Sequence, residues 1–203
     1  MTESKEVAVL IHELGGMLSS VQGFAHIAAT APDHPDRERF IGLVASEARR
    51  ASRAVKDIHL IRSLDGGRIS ASPPAVGLRD LLDEVQRLAP SLELDVSPDV
   101  ADVRVGVDAG KLADPLVRCL EPAAPGAPAP RIEAGPDGVR LVRAIAPAED
   151  VTRRTEALQE AYPAMLAFAI AARLLEHWGG ALTLSVEGDW TVVTMSFPEP
   201  RRS

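Results

Sequence analysis

The spacing of apolar residues in the first third of the chain constrains its fold more than any other feature. Val7, Leu10, Leu14, Met17, Val21, Phe24 and Ala28 recur at alternating steps of three and four, which draws a single apolar seam along a helix of 3.6 residues per turn. Ala31-Pro32-Asp33-His34-Pro35 interrupts the pattern. A second seam then runs through Ile41, Val44, Ala48, Ala51, Val55 and Ile58 until Asp65-Gly66-Gly67. The spacing predicts two long helices folded into an antiparallel hairpin. One hairpin with this much apolar surface cannot cover it alone, and pairing with a second copy into a dimeric four-helix bundle is the simplest way to bury it.

From about residue 71 the texture changes. Pro73-Pro74 marks a linker, so the chain divides into a helical hairpin over 1–70 and a second domain over 71–203. In the second domain Leu78 to Leu88 reads as a short amphipathic helix, Leu92 to Val96 and Val103 to Val107 as strands, and Asp108 to Leu120 as a helix. Prolines at 122, 125, 128 and 130 make the next stretch a loop. Strands are predicted at Arg131 to Ala134 and Val139 to Ile145. A helix follows from about Thr152 to Trp178, with a break at Pro163, and Ala181 to Glu187 pairs with Trp190 to Phe197 around Gly188-Asp189. This order predicts an α/β sandwich with helices on one face of a mixed sheet, and an α+β chain as a whole.

A formal charge of −7 and a pI near 5.3 oppose a nucleic-acid partner or an anionic membrane surface. Cys119 is alone in the chain, so no intramolecular disulfide can form and a reducing compartment is expected. No uninterrupted apolar run approaches the ~18 residues of a membrane span, and Met1-Thr2-Glu3-Ser4-Lys5 lacks a signal-peptide pattern. The expectation is a cytoplasmic protein with no membrane partner.

His12 lies two residues from both Leu10 and Leu14, on the side of the first helix opposite the seam. Ala8, Gly15, Gly16, Ser19 and Gly23 share that side, so nothing bulky is expected over the imidazole. Two adjacent glycines inside a helix cost about 1 kcal/mol each relative to alanine, and close approach of another protein is one reason to keep them; tight helix packing is the other. Glu13 follows directly, and a carboxylate accepting a hydrogen bond from one ring nitrogen would leave the other free as a nucleophile. An exposed histidine on a helix is ordinarily only solvated surface, and His26, His34, His59 and His177 read as structural or surface residues.

The run Leu10-Ile11-His12-Glu13-Leu14, followed by Leu18-Ser19-Ser20-Val21-Gln22-Gly23-Phe24-Ala25, resembles the phosphoacceptor box of bacterial sensor histidine kinases. The resemblance implies that His12 is phosphorylated, that Glu13 is its acid/base partner, and that the hairpin is the dimerisation and phosphotransfer domain. Ala8, Gly15, Gly16, Ser19, Gln22 and Gly23 would then face the partner protein. Gly15, Gly16 and Met17 replace the family's usual Arg, Thr or Asn, and Pro. Gly16 stands where the family's phosphatase residue would be.

The remainder is similar in outline to the kinase ATP-binding domain, with its nucleotide residues missing. Cys119 and Ala123 stand where asparagines are expected, no Asp-x-Gly occurs between Val139 and Arg154, and Pro163, Met165 and Ala167 occupy three glycine positions that would admit phosphates. The resemblance implies a degenerate domain that binds no cofactor, within a homodimeric histidine phosphotransferase. Such a protein passes phosphoryl groups between response-regulator receiver domains, whose own aspartate site holds Mg2+. Two other readings stay open: a non-catalytic pseudokinase adaptor, and a divergent active histidine kinase.

Overall fold

The computed structural model describes residues 5–31, 33–120, 128–135, 138–147 and 162–200. It divides into two compact units, Met1–Ile69 and Ser70–Ser203.

The first unit is a hairpin of α1 (Lys5–Thr30) and α2 (Arg37–Asp65). Its tip is tied by a few specific contacts. The Arg37 guanidinium donates from Nε to the Ala28 carbonyl at 3.1 Å, satisfying one of the carbonyls that the end of α1 leaves open. Phe24 and Phe40 stack across the hairpin at 6.2 Å between ring centroids. The Asp36 backbone N–H donates to His34 Nδ1 at 3.1 Å, and the His34 ring leans on Phe40 at 5.3 Å.

The α1 seam lies as its spacing predicts, with Val7, Leu10 and Ala28 buried and Leu14, Met17, Val21 and Phe24 half-buried. The α2 seam does not. The buried residues are Ala51, Ala54, Asp57, Ile58 and Ile61, whereas Ile41 and Val55 are 47% and 40% exposed. Packing against one neighbouring helix covers only one strip of α2, and a seven-residue row such as 41, 48, 55 sits to the side of that strip. The apolar content is spread over two faces. The same spread makes Val7–Thr30 long and apolar enough, by length and composition, to cross a membrane, with only 17% of the window buried in this unit; scattered small polar residues hid that property from the run-length criterion.

Among the described residues the second unit is a five-stranded mixed sheet packed against helices. Its elements are β1 (Val76–Gly77), α3 (Leu78–Leu88), β2 (Asp95–Val96), a 3-10 turn (Pro98–Val100), β3 (Arg104–Val105), α4 (Ala109–Leu120), β4 (Arg131–Gly135), β5 (Gly138–Pro147), α5 (Tyr162–Trp178), β6 (Ala181–Glu187) and β7 (Trp190–Phe197). The strand order is β2-β4-β5-β7-β6, parallel between β2 and β4 and antiparallel elsewhere, while β1 and β3 form a separate two-stranded ladder. The strands predicted at Leu92 to Val96 and Val103 to Val107 shrink to two residues each. Alternation marks a half-buried extended segment, but ladder length depends on a neighbour that local pattern does not reveal. The helix predicted from Thr152 is described from Tyr162 to Trp178 and carries Pro163 near the beginning of that span; residues 152–161 lie outside the described set.

The core forms where the helices meet the sheet. Val139 and Leu141 of β5 stand opposite Phe197 and Met195 of β7, and residues directly opposite in an antiparallel pair share a face. Leu112, Leu116, Leu120, Ile170, Leu174 and Trp178 are buried with them. Asp108 caps α4 by accepting the Lys111 backbone N–H at 3.2 Å, and Trp178 Nε1 donates to the Ser70 carbonyl at 3.0 Å. The turn after α5 needs its glycines. Gly179 has φ of +96°, and a Cβ on Gly180 would lie 2.3 Å from the Ser196 carbonyl oxygen.

Candidate functional site

His12 is exposed on α1, on the side away from the buried seam. Ala8, Gly15, Gly16, Ser19, Gln22 and Gly23 are exposed as well. A Cβ added at Gly15, Gly16 or Gly23 would meet no atom within 4 Å. Packing inside this chain therefore gives no reason for these glycines. Ser19 Oγ donates to the Gly15 carbonyl at 3.0 Å, folding the hydroxyl back onto the helix and keeping the strip flat.

Glu13 is half-buried beside His12. Among the described residues neither has a hydrogen bond or ion pair, so the expected carboxylate–imidazole bond is not formed. Consecutive helical residues point about 100° apart, and adjacent side chains do not face each other. Both imidazole nitrogens are consequently open to an incoming group. Of the other histidines, His26 and His59 are exposed, His34 belongs to the hairpin tip, and His177 is half-buried near the end of α5.

In the second unit, Cys119 is buried and its thiol is pushed up to about 12 by desolvation, only partly countered by Arg118 and Arg143. At neutral pH it is neither nucleophile nor thiolate ligand. Ala123 lies outside the described residues. Pro163, Met165 and Ala167 all fall within the helix α5, and Ala167 is wholly buried. The Ala167 methyl is thus enclosed by protein within the folded domain. No group of three or more His, Cys, Asp or Glu suited to a metal ion occurs among the described residues.

Sequence reasoning missed Arg143. It is 2% exposed, and among the described residues its Nε and both terminal nitrogens have no hydrogen-bond partner. Burial lowers its pKa, with the Cys119 thiol as the group acting against that shift. Its strand pattern offered one signal: Val139, Leu141 and Arg143 alternate onto a single face whose other members are apolar.

No family model and no curated protein sequence matches the chain. Its fold does match solved structures. Acinetobacter baumannii histidine kinase AdeS aligns at a TM-score of 0.65 and 15% identity over 94% of this chain and 98% of that one. Full-length ShkA in complex with AMPPNP aligns at 0.54 and 22% identity over 98% of this chain, which spans about half of ShkA at 47%. The chain therefore has a histidine-kinase-like core, a helical hairpin followed by an α/β domain of the kinase ATPase fold.

Proposed function

We propose that the protein is a two-component signalling component that works as a histidine phosphotransferase, accepting a phosphoryl group on His12 from a receiver aspartate and passing it to another. The observation that carries this reading is an imidazole with no partner among the described residues, standing on a flat strip whose glycines meet no described side chain or neighbouring element. In the transfer step one ring nitrogen of His12 forms the N–P bond as the acyl-phosphate P–O bond breaks. The carboxylate leaves, and the other ring nitrogen sheds its proton. The bundle's contribution is position, and Mg2+ in the receiver would neutralise the phosphoryl oxygens. Glu13 would act on the reactant complex without first holding the ring.

Homodimerisation through the hairpin is part of the proposal. Ile11 and Leu18 are 45% and 49% exposed, and with Ala25 they form a seven-residue row on α1 that matches Ile41, Ala48 and Val55 on α2. Each row lies roughly 70–80° round from its helix's buried strip, counted towards increasing residue number. Because the helices are antiparallel, both rows emerge on the same side of the hairpin. A two-fold axis along the bundle then sets Leu18 against the partner's Ala48 and Ala25 against the partner's Ile41, large against small.

The residue replacements at Cys119 and Ala123, and the lack of Asp-x-Gly before Arg154, support a domain that does not bind ATP. The likeness of fold to ShkA, a nucleotide complex, favours the second reading of a divergent kinase. Incubation with receiver domains charged by acetyl phosphate tests transfer. Wild type should gain acid-labile, base-stable phosphate and His12→Ala none; equal labelling of the two would refute the proposal. Mg2+-dependent binding of a fluorescent ATP analogue would favour the kinase.

A further inference from the structure

The outer face of α2 carries Arg49, Arg53 and Lys56, at steps of four and three along one side of the helix. All three are exposed, and among the described residues none has a hydrogen bond or ion pair, whereas the neighbouring Arg50 is paired with Glu47 at 2.8 Å. Residues 1–69 hold nine Lys or Arg and nine Asp or Glu, so the net charge of −7 arises entirely outside the hairpin. The stripe is a local positive feature on a neutral unit.

Its height along the bundle follows from the contacts at the tip. Phe24 lies against Phe40, and Arg37 reaches Ala28. Counting back at equal rise along both helices puts His12 level with Ser52, Gly15 level with Arg49, and Ala8 level with Lys56. The cations bracket the height of the histidine. Within one hairpin, however, they point the wrong way. His12 lies about 170–190° from the strip of α1 that faces α2, and Arg49 and Lys56 lie about 170–190° from the strip of α2 that faces α1. They occupy opposite outer sides.

The two-fold arrangement reverses this relation. Rotation by 180° about the bundle axis places the partner's α2 beside α1 and turns its outer side to the side on which His12 stands, at unchanged height. We infer that each phosphoacceptor site is shared: His12 and the small residues Ala8, Gly15 and Ser19 come from one subunit, and Arg49 and Lys56 from the other, forming a cationic seat for the phosphoryl group brought to His12. This inference rests on the dimeric phosphotransfer reading. It goes further by naming the residues that would attract the phosphoryl anion and the chain that supplies them. Small residues at positions 8, 15 and 19 leave the groove between α1 and the partner's α2 open, which accounts for glycine at 15 where no atom of its own chain comes near.

The test uses a small phosphoryl donor, potassium phosphoramidate, on the full-length protein. A ring nitrogen of His12 forms the N–P bond, the P–N bond breaks, ammonia leaves, and the ring proton passes to solvent. Arg49→Glu with Lys56→Glu should slow this labelling about five- to tenfold at 10 mM ionic strength and about two- to threefold at 0.1 M, as expected for charges roughly 10 Å from the acceptor. Carbethoxylation of His12 by diethyl pyrocarbonate, an uncharged reagent, should be unchanged. Arg49→Gln with Lys56→Gln should give a smaller slowing in the same direction, and light scattering should show a dimer for each variant.

Co-expression with two tags then assigns the cations to a subunit. A His12→Ala subunit with native cations, paired with a subunit carrying Arg49→Glu and Lys56→Glu but native His12, should label that histidine at nearly the wild-type rate per site. Labelling as slow as in the charge-reversed homodimer would overturn the shared site, and so would an unchanged rate in that homodimer. Wild-type protein that is carbethoxylated at His12 but never phosphorylated would instead refute the phosphotransfer reading itself.

Discussion

Replacing Arg143 by methionine should stabilise the second unit. The guanidinium is 2% exposed and its three nitrogens lack hydrogen-bond partners among the described residues. Its cross-strand neighbour on β7 is Val193, and the nearby Cys119 thiol is uncharged at neutral pH. Burial lowers the Arg143 pKa, yet arginine stays protonated at pH 7, so the full desolvation cost is present under ordinary conditions. Exchanging buried ionic groups for apolar side chains of similar volume gains about 1–4 kcal/mol where packing is kept, and methionine's unbranched chain can follow the same path. A gain near 2 kcal/mol with a urea m-value of about 2 kcal/mol/M moves the unfolding midpoint up by roughly 1 M. The assay is specific because both tryptophans of the chain, Trp178 and Trp190, lie in this unit, so intrinsic fluorescence follows it without a signal from the hairpin. A midpoint lowered by 0.5 M or more would refute the reasoning, since it would mean that the guanidinium is compensated in the folded protein.

Gly180→Ala should destabilise the same unit by about 1–3 kcal/mol in the same fluorescence assay, because its Cβ would lie 2.3 Å from a backbone oxygen that can move only with β7. Cys119 should resist thiol reagents at pH 7.5 until the protein is unfolded. Its folded pKa of about 12 exceeds the ordinary thiol value of 9.0, so the folded state holds a proton that the unfolded state releases, and stability should fall by about 1.4 kcal/mol per pH unit between those values. That slope should be absent in Cys119→Ala, as urea midpoints at pH 9 and 10 would show. Leu18→Glu with Val55→Glu should convert the dimer to monomer by light scattering while the helical circular dichroism of the isolated chain is retained, because both residues lie on the exposed rows.

Much of this protein is legible one segment at a time. The steps of three and four from Val7 to Ala28 define α1, Pro32 and Pro35 mark its end, and Gly188-Asp189 between alternating segments marks the β6–β7 hairpin to the residue. His12 could be placed on the outer side of α1 from Leu10 and Leu14 alone. These features depend on backbone stereochemistry and on helical or strand period, which operate within a few residues.

Other features required the assembled structure. Which of two apolar rows on α2 is buried depends on the neighbour it meets, so Val55 is exposed and Ala54 is not, although the sequence favours the larger side chain. Ala167 stands at a glycine position of the resembled motif, and only the structure shows its methyl to be wholly buried on α5. Adjacency made Glu13 look like a partner for His12, but helical rotation separates them. Arg143 is a surface residue by composition and a buried charge only because β5 is an inner strand covered by helices. Local sequence sets period and punctuation, while burial and pairing are decided by residues far apart in the chain, and so by tertiary structure alone.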